Sequence, residues 1–339
     1  MLVFHLYDII KIISGLHNLE ELDLSHNDLS STWLQPDVFD HLLELRTLVL
    51  SHNRLSDLDE DIFKSLSKLE VLNLSSNQIT KLSKHSFVNL SHLRSLSLSH
   101  NHLTVIGKDS LGQAIFRIET LALHNNKITT VDSEAFANLT SLAHLDMNVN
   151  NLESVPLAIK MLPSLKSLNL GENLISQLGD YFLSGNPQLE TLVLEQNKIW
   201  KISKQAFASS STMRSVNMKR NRLARLEKEM FQPMIKLETF LLDQNYLDDI
   251  NGVFSSLSSL KHLSISDNSL KWFDMAFFPK TIQAINMSRN IIEEIGNYYK
   301  MLNGFSLQSL DLSFNRISYL DQQMLVVSQP DNVILRIIF

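Results

Sequence analysis

Histidine recurs at one position of a repeated word. His26, His52 and His100 each stand immediately before an asparagine, with Ser76 in the gap and His124 one position off. Imidazoles at a shared position of neighbouring repeats have the donor type and near-neutral pKa of a metal site or a pH sensor. No carboxylate completes a ligand set there, so these histidines read as part of the word itself. Gly107 and Gly112 have the spacing of a phosphate-binding loop, which must continue into Lys and then Ser or Thr. Gln113 and Ala114 stand in those places, and the match fails at the residues that carry the chemistry. There is no His-Glu-x-x-His, no Gly-x-Ser-x-Gly and no paired-glycine dinucleotide fingerprint. The residues therefore predict no catalytic set, no cofactor and no metal.

The word that holds the histidines is Leu-x-x-Leu-x-Leu-x-x-Asn. It ends at Asn27, Asn53, Asn77, Asn101, Asn126, Asn150, Asn173, Asn197, Asn221, Asn245, Asn268, Asn290 and Asn315, at intervals of 22 to 26 residues. A fixed period in this range is the signature of a leucine-rich repeat solenoid. The expected fold is an α/β horseshoe with a parallel concave β-sheet and about thirteen typical repeats. In Leu72-Asn73-Leu74 the apolar residues alternate, so one face of a short strand is buried and the other exposed. The recurring asparagine reads as a structural ladder whose amide satisfies backbone groups where the chain leaves the strand. Phe39, Phe63, Phe87, Phe136, Phe182, Phe207, Phe231, Phe254 and Phe278 form a second column about ten residues later, a spine filling the opposite half of the coil. Leu111 and Ile159 replace Phe in repeats four and six.

The unbroken repeat predicts one elongated domain over residues 1–339, with complete repeats over about 19–330 and partial repeats at 1–18 and 331–339. Net charge is −6 and the pI about 6.1, which argues against nucleic acid. No cysteine is present, so a disulfide framework is excluded within this segment. No apolar run reaches the roughly 20 residues needed to span a bilayer. The start, Met1 to Lys11, lacks the basic n-region of a signal peptide and is interrupted by Asp8 and Lys11. Ile9, Ile13 and Leu16 read as the tail of an upstream repeat, and Ile334, Ile337 and Phe339 as the opening of a fourteenth. Solenoids need polar caps, and neither end looks like one. The expectation is an uncapped piece of a longer protein that aggregates or frays when expressed alone.

On the exposed face, the residue after the first leucine reads Glu20, Arg46, Glu70, Arg94, Glu119, Ala143, Lys166, Glu190, Arg214, Glu238, Lys261. This alternation reads as an inter-repeat salt-bridge ladder ahead of an electrostatic docking stripe. Glu195, Lys219 and Asp243 alternate in the same way, so Arg214, Lys219 and Arg220 are locally neutralised and the case for an anionic ligand there is weak. Val193 and Leu241 share one column with Asn217 between them. They are the candidate hot spot. The candidate ligand-facing set is Val193, Glu195, Asn217, Lys219, Arg220, Leu241 and Asp243. Four glycosylation sequons occur, at Asn73, Asn89, Asn138 and Asn286. Asn89 and Asn138 fall on the outer turn. Asn73 and Asn286 fall mid-strand, where a glycan would obstruct the concave face. Protein ligands are then expected on the lateral flanks or on the concave stretch of repeats four to eleven.

The region from about 237 to 317 is more specific than the repeat. It runs through Asp249-Ile250-Asn251-Gly252-Val253-Phe254, Ile265-Ser266-Asp267-Asn268, Trp272-Phe273-Asp274, a shortened repeat ending at Asn290, and Gly296-Asn297-Tyr298-Tyr299. This succession resembles the ectodomain of protostome Toll receptors, in particular the long-ectodomain, Tollo-like insect class. The resemblance implies a segment of a single-pass receptor with an extracellular solenoid and an intracellular TIR domain. It implies as partner a cystine-knot cytokine of the Spätzle type or another receptor, and a place on the extracellular face of the plasma membrane. Without that resemblance, the residues leave open a soluble or intracellular repeat scaffold, or a secreted decoy.

Overall fold

The computed structural model describes residues 15–35, 37–112, 114–250, 252–296, 306–319 and 334–336. The N-terminal apolar stretch, Gln113, Asn251, Asn297 to Tyr299, Ile337 and Phe339 lie outside the described residues. The chain divides into two units, Met1–Asn169 and Leu170–Phe339.

Both units are parallel-strand repeat solenoids built by one rule. In the first, the strands Glu21–Asp23, Thr47–Val49, Val71–Asn73, Ser95–Ser97, Thr120–Ala122, His144–Asp146 and Ser167–Asn169 pair in parallel, each with the next. In the second, the strands are Thr191–Val193, Ser215–Asn217, Thr239–Leu241, His262–Ser264, Ala284–Asn286, Ser309–Asp311 and Ile334–Arg336. In the strands from Thr47–Val49 to Ser309–Asp311 the central residue is buried, as Leu48, Leu72, Leu96, Val216 and Leu263 show. Its two neighbours are half to fully exposed. That is the period-two pattern of a half-buried strand.

Three-residue strands cannot hold a stack alone, and the asparagines supply the missing bonds. Asn101 Nδ2 donates to the carbonyls of Leu98 (3.1 Å) and Ser99 (3.2 Å) in its own turn and of Leu74 (3.0 Å) in the turn before. Its Oδ1 accepts from the amide of Ile79 at 2.9 Å. Asn221 repeats the set in the second unit, with Nδ2 to Leu194, Met218 and Lys219 and Oδ1 to the amide of Ile199. Asn53, Asn77, Asn126, Asn197, Asn245 and Asn290 are likewise buried. Asn27 is exposed and, among the described residues, bonds the carbonyls of Leu24 and Ser25 alone.

The phenylalanines stack behind the strands. Phe39, Phe63 and Phe87 lie nearly parallel, with centroids 6.2 and 6.3 Å apart. In the second unit the spine runs Phe182, Phe207, Phe231, then Phe254 and Phe278. Phe240, a strand residue where most other repeats carry Leu, inserts its ring between Phe231 (5.2 Å) and Phe254 (6.0 Å). Leu111 and Ile159 fill the spine positions of their repeats, fully buried. The return segments are mostly turns, with 3₁₀ pieces at Leu157–Met161 and Met275–Phe277 and one helical turn at Lys228–Phe231. Two-residue strands pair beyond the ladder, such as Val105–Ile106 with Thr130–Val131, which the periodicity of the sequence does not signal.

One constraint escapes sequence reading. The residue before each ladder asparagine has a left-handed backbone, from His26 (φ 55°), His52, Ser76 and His100 to Arg220, Gln244, Arg289 and Phe314 (φ 57°). Asn and His tolerate this region better than most side chains, and β-branched residues tolerate it worst. The histidine column therefore has a backbone reason. Val149, at φ 50°, is the strained member.

Two outcomes follow. Asn101→Ala leaves the Ile79 amide with no partner and removes one of two donors from each of the Leu74, Leu98 and Ser99 carbonyls, and should lower stability by about 2–3 kcal/mol in chemical denaturation, at roughly 1–3 kcal/mol for an orphaned buried group. Val149→Asn relieves the left-handed strain and should raise stability by about 0.5–1 kcal/mol. A loss of stability in Val149→Asn would show that its side-chain packing outweighs the strain.

Candidate protein-recognition surface

The face of the strands that looks away from the core is a set of columns, one residue per repeat. In the first column, Arg46 lies 3.9 Å from Glu20 and 2.5 Å from Glu70, and Arg94 is 2.5 Å from Glu119. In the second unit Arg214 bridges Glu190 (3.6 Å) and Glu238 (2.8 Å), and Lys261 closes on Glu238 at 2.7 Å. The Lys261 ammonium, and after it the Arg214 guanidinium, hold the Glu238 carboxyl below the ordinary carboxylate range. These pairs are exposed and contribute little individually. Their charge is spent within the column.

The candidate residues of repeats eight to ten lie together in the second unit. Val193, Asn217 and Leu241 occupy one register position on adjacent strands, each half exposed. Asn217 is fully engaged. Its Nδ2 donates to Glu195 Oε2 (2.8 Å) and its Oδ1 accepts from the amide of Lys219 (3.1 Å). Asp23, Asn73, Asp146, Asn286 and Asp311 cap the amide two residues on in the same way, so Asp or Asn at this position is a local turn device. Arg220 is exposed and holds the side-chain oxygens of Gln244 (2.9 Å) and Gln196 (3.3 Å).

Asp243 requires a correction. It reads from sequence as ligand-facing, but it is only 6% exposed. Ser264 Oγ donates to Asp243 Oδ1, as do the Ser266 amide (2.9 Å) and hydroxyl (2.6 Å), and Lys219 Nζ lies 3.1 Å from Oδ2. The following turn, through Ser264 and Ser266, and the preceding one, through Lys219, thus wrap the carboxylate. Burial works to raise its pKa, but the serine hydroxyls, Lys219 and the Ser266 amide outweigh burial and hold it below the ordinary value. Asp243 anchors neighbouring turns and is not offered to a ligand.

Sequence reading also passed over a depression of about 250 Å3 beside Leu241. His262, Ser264, Ala284, Asn286, Ser309 and Asp311 line it. Two small side chains, Ala284 and Ser309, stand side by side at one register position of its lining. Asn286 stands on its wall, with Oδ1 bonded to Ser288. Of the other sequon asparagines, Asn73 bonds the Ser75 amide through Oδ1, Asn89 Nδ2 donates to the Lys64 carbonyl (2.9 Å), and Asn138 is exposed.

His26 and His52 stack with centroids 4.2 Å apart, and His124 Nδ1 lies 3.6 Å from Asp146 Oδ2. Among the described residues no group of three His, Cys, Asp or Glu could hold an ion. No described helix is long and apolar enough to cross a membrane. Phe314, 57% exposed, carries the Arg289 guanidinium 5.2 Å from its ring centroid.

The regular strand, the asparagine ladder and the columned face define a leucine-rich repeat solenoid, and the chain belongs to the leucine-rich repeat family. The family model described as "Leucine rich repeat" matches residues 11–55, 43–103, 116–175, 163–223 and 211–270, and a second model of the same description matches 305–320. Within that family the sequence is similar to a Toll receptor and, over a shorter stretch, to a G-protein coupled receptor. Over 167 residues the chain is 46% identical to Toll-like receptor 7 of Drosophila melanogaster, covering 49% of this chain and 12% of that receptor. Over 57 residues it is 44% identical to leucine-rich repeat-containing G-protein coupled receptor 4 of Mus musculus, which is 17% of this chain and 6% of that one. The chain thus spans a small part of the relatives it matches. Among solved structures, the glycosylated Toll–Spatzle complex of Drosophila matches with a TM-score of 0.79 at 22% identity, covering 95% of this chain and 45% of that one. A leucine-rich repeat protein of Leptospira interrogans matches at 0.72 and 26%, covering 97% and 86%. By sequence and fold the chain resembles a Toll receptor ectodomain.

Asp243→Ala should cost about 3 kcal/mol, because it orphans buried serine donors and leaves Lys219 without its counter-ion. The sign with pH follows from the depressed pKa. The carboxylate's contribution is complete above its ordinary value of 3.8 and is lost as pH falls through the lower folded value. Thermal unfolding followed from neutral pH into this acid range should show a steeper decline for the parent than for Asp243→Ala.

Proposed function

We propose that this chain is the protein-recognition segment of a Toll-type receptor ectodomain, on the extracellular face of the plasma membrane. The observation that carries the reading is the 46% identity to Toll-like receptor 7 over 167 residues. The strand face supports it, since it offers a half-exposed apolar column among neutralised charges. Its partner is a cystine-knot cytokine of the Spätzle type or a second receptor, and the strand segment around Val193, Asn217 and Leu241 is the contact. Glu195, Lys219 and Arg220 frame it as the polar rim of an interface with an apolar centre. Residues 1–339 act as one recognition domain, and the reading assigns it no catalysis and no cofactor.

Glycans set the boundaries of the usable face. A sugar on Asn73 or Asn286 would stand on the strand face, and one on Asn89 or Asn138 on the outer turns. The contact then falls between repeats four and eleven or on the flanks.

The test is binding of a Spätzle-type cytokine to the secreted chain by biolayer interferometry. Val193→Glu combined with Leu241→Glu should weaken it at least about tenfold, in line with truncation of a central hot spot, while leaving thermal unfolding unchanged. Unaltered binding would remove these residues from the contact. Mass spectrometry should find glycans at Asn73 and Asn286, and bare asparagines there would free the whole face.

A further inference from the structure

Residues 196–226 contain eight Lys and Arg and neither Asp nor Glu, in a chain whose net charge is −6. Three of the eight are engaged on the strand side. Arg214 sits between Glu190 and Glu238, Lys219 on Asp243, and Arg220 on Gln196 and Gln244. The other five, Lys198, Lys201, Lys204, Arg222 and Arg225, are exposed and make no ion pair among the described residues.

Four of these five lie on one flank, where the chain leaves Asn197 and Asn221. Lys198 donates its amide to the Ile175 carbonyl (2.9 Å), Arg222 to Ile199 (2.8 Å) and Tyr246 to Leu223 (2.8 Å). Lys198, Arg222 and Tyr246 therefore hold one register position in three successive turns. Lys201 and Arg225 share the position three residues on. Trp200 falls between the two rows, its amide bonded to the Ser176 carbonyl at 3.0 Å. Its side chain is 56% exposed and that of Tyr246 61%.

Adjacent turns lie about 4.8 Å apart, so each row sets like charges side by side, which is destabilising. The chain compensates such positions elsewhere. In the first unit, the same place after the ladder asparagine carries Asp28 and Arg54, paired at 2.8 Å. Folding gains nothing from the uncompensated rows. They are also short. The preceding turn offers Leu174 and Gln177 at these two positions, and the following turn Tyr246 and Asp249. A long polyanion would be matched by cations running over many turns. A patch confined to two turns, bordered by an acidic residue and centred on Trp, matches a compact face. Exposed Trp with flanking Arg is the side-chain signature of a protein hot spot, and guanidinium forks take carboxylates bidentately.

We propose that this flank, with Lys198, Lys201, Arg222 and Arg225 around Trp200, is a docking surface for an acidic face of a partner protein. Arg222 and Arg225 hold carboxylates and Trp200 lies against an apolar residue between them. The inference rests on the reading of this chain as a protein-recognition segment, but concerns a surface separate from Val193 and Leu241.

The test measures binding of the full chain to three probes by biolayer interferometry: a synthetic peptide alternating Glu-Asp pairs with Leu, poly-L-glutamate, and heparin. The peptide should bind best and weaken with salt. Trp200→Ala should reduce its affinity about tenfold and Arg222→Glu combined with Arg225→Glu should abolish it, as for loss of central anchors. These side chains are exposed, so thermal unfolding should not change, and the parent's peptide affinity should persist in Val193→Glu with Leu241→Glu. Absence of peptide binding, or binding indifferent to either flank variant, overturns the proposal. So does tighter binding of heparin or poly-L-glutamate that ignores Trp200→Ala, because the flank is then a general polyanion surface. Loss of cytokine binding in the strand-face variant with no peptide binding at the flank would sink this inference and leave the receptor reading standing.

Discussion

The side-chain amide of the ladder asparagine is the interaction on which everything else hangs. A three-residue strand makes too few ladder bonds to fix its neighbour. The asparagine closes its own turn through two carbonyls and reaches a carbonyl and an amide of the turn before. Asn101, joined to Leu74 and Ile79, and Asn221, joined to Leu194 and Ile199, show the same four bonds in separate units. That closure forces the preceding residue into a left-handed backbone, and so decides which side chains the next column can carry. It also holds the strand register that sets Val193, Asn217 and Leu241 in line.

Register then dictates electrostatics. Once equivalent residues are stacked a strand spacing apart, each charged column must alternate or repel. The strand face alternates, and its charges neutralise one another in Arg46, Arg94, Arg214 and Lys261. Asp243 goes further, drawing Lys219 and two serines into a half-hidden cluster that ties three turns together. Such a face offers a partner shape and a modest apolar column more than it offers charge. The flank beyond Asn197 and Asn221 breaks the rule, with cations unmatched on neighbouring turns and Trp200 among them. The two surfaces therefore suit partners of different chemistry.

Glycan placement adds a third constraint. Asn73 and Asn286 hold the strand position where Asp or Asn caps the amide two residues on, so their side chains are aimed by the fold before any sugar is attached. Asn286 also borders the depression beside Leu241, where the small side chains of Ala284 and Ser309 stand side by side.

The period of Leu and Asn determined the repeat, the inward residues, the Phe spine and the alternating columns, because each depends on spacing alone. The resemblance carried by residues 237–317 pointed to the Toll receptors, and half the chain bears that relationship in sequence. Four features needed the folded chain. The left-handed column depends on backbone geometry that His, Ser, Val and Phe do not announce. The burial of Asp243 depends on Ser264 and Ser266, which come from the next turn. Phe240 leaves the leucine pattern but packs between two spine rings. The flank patch escaped because Lys198 with Arg222 and Lys201 with Arg225 are each 24 residues apart in sequence and become neighbours only when the turns stack. Sequence records what repeats within a turn, whereas contact between turns is decided by the register that the asparagine bonds impose.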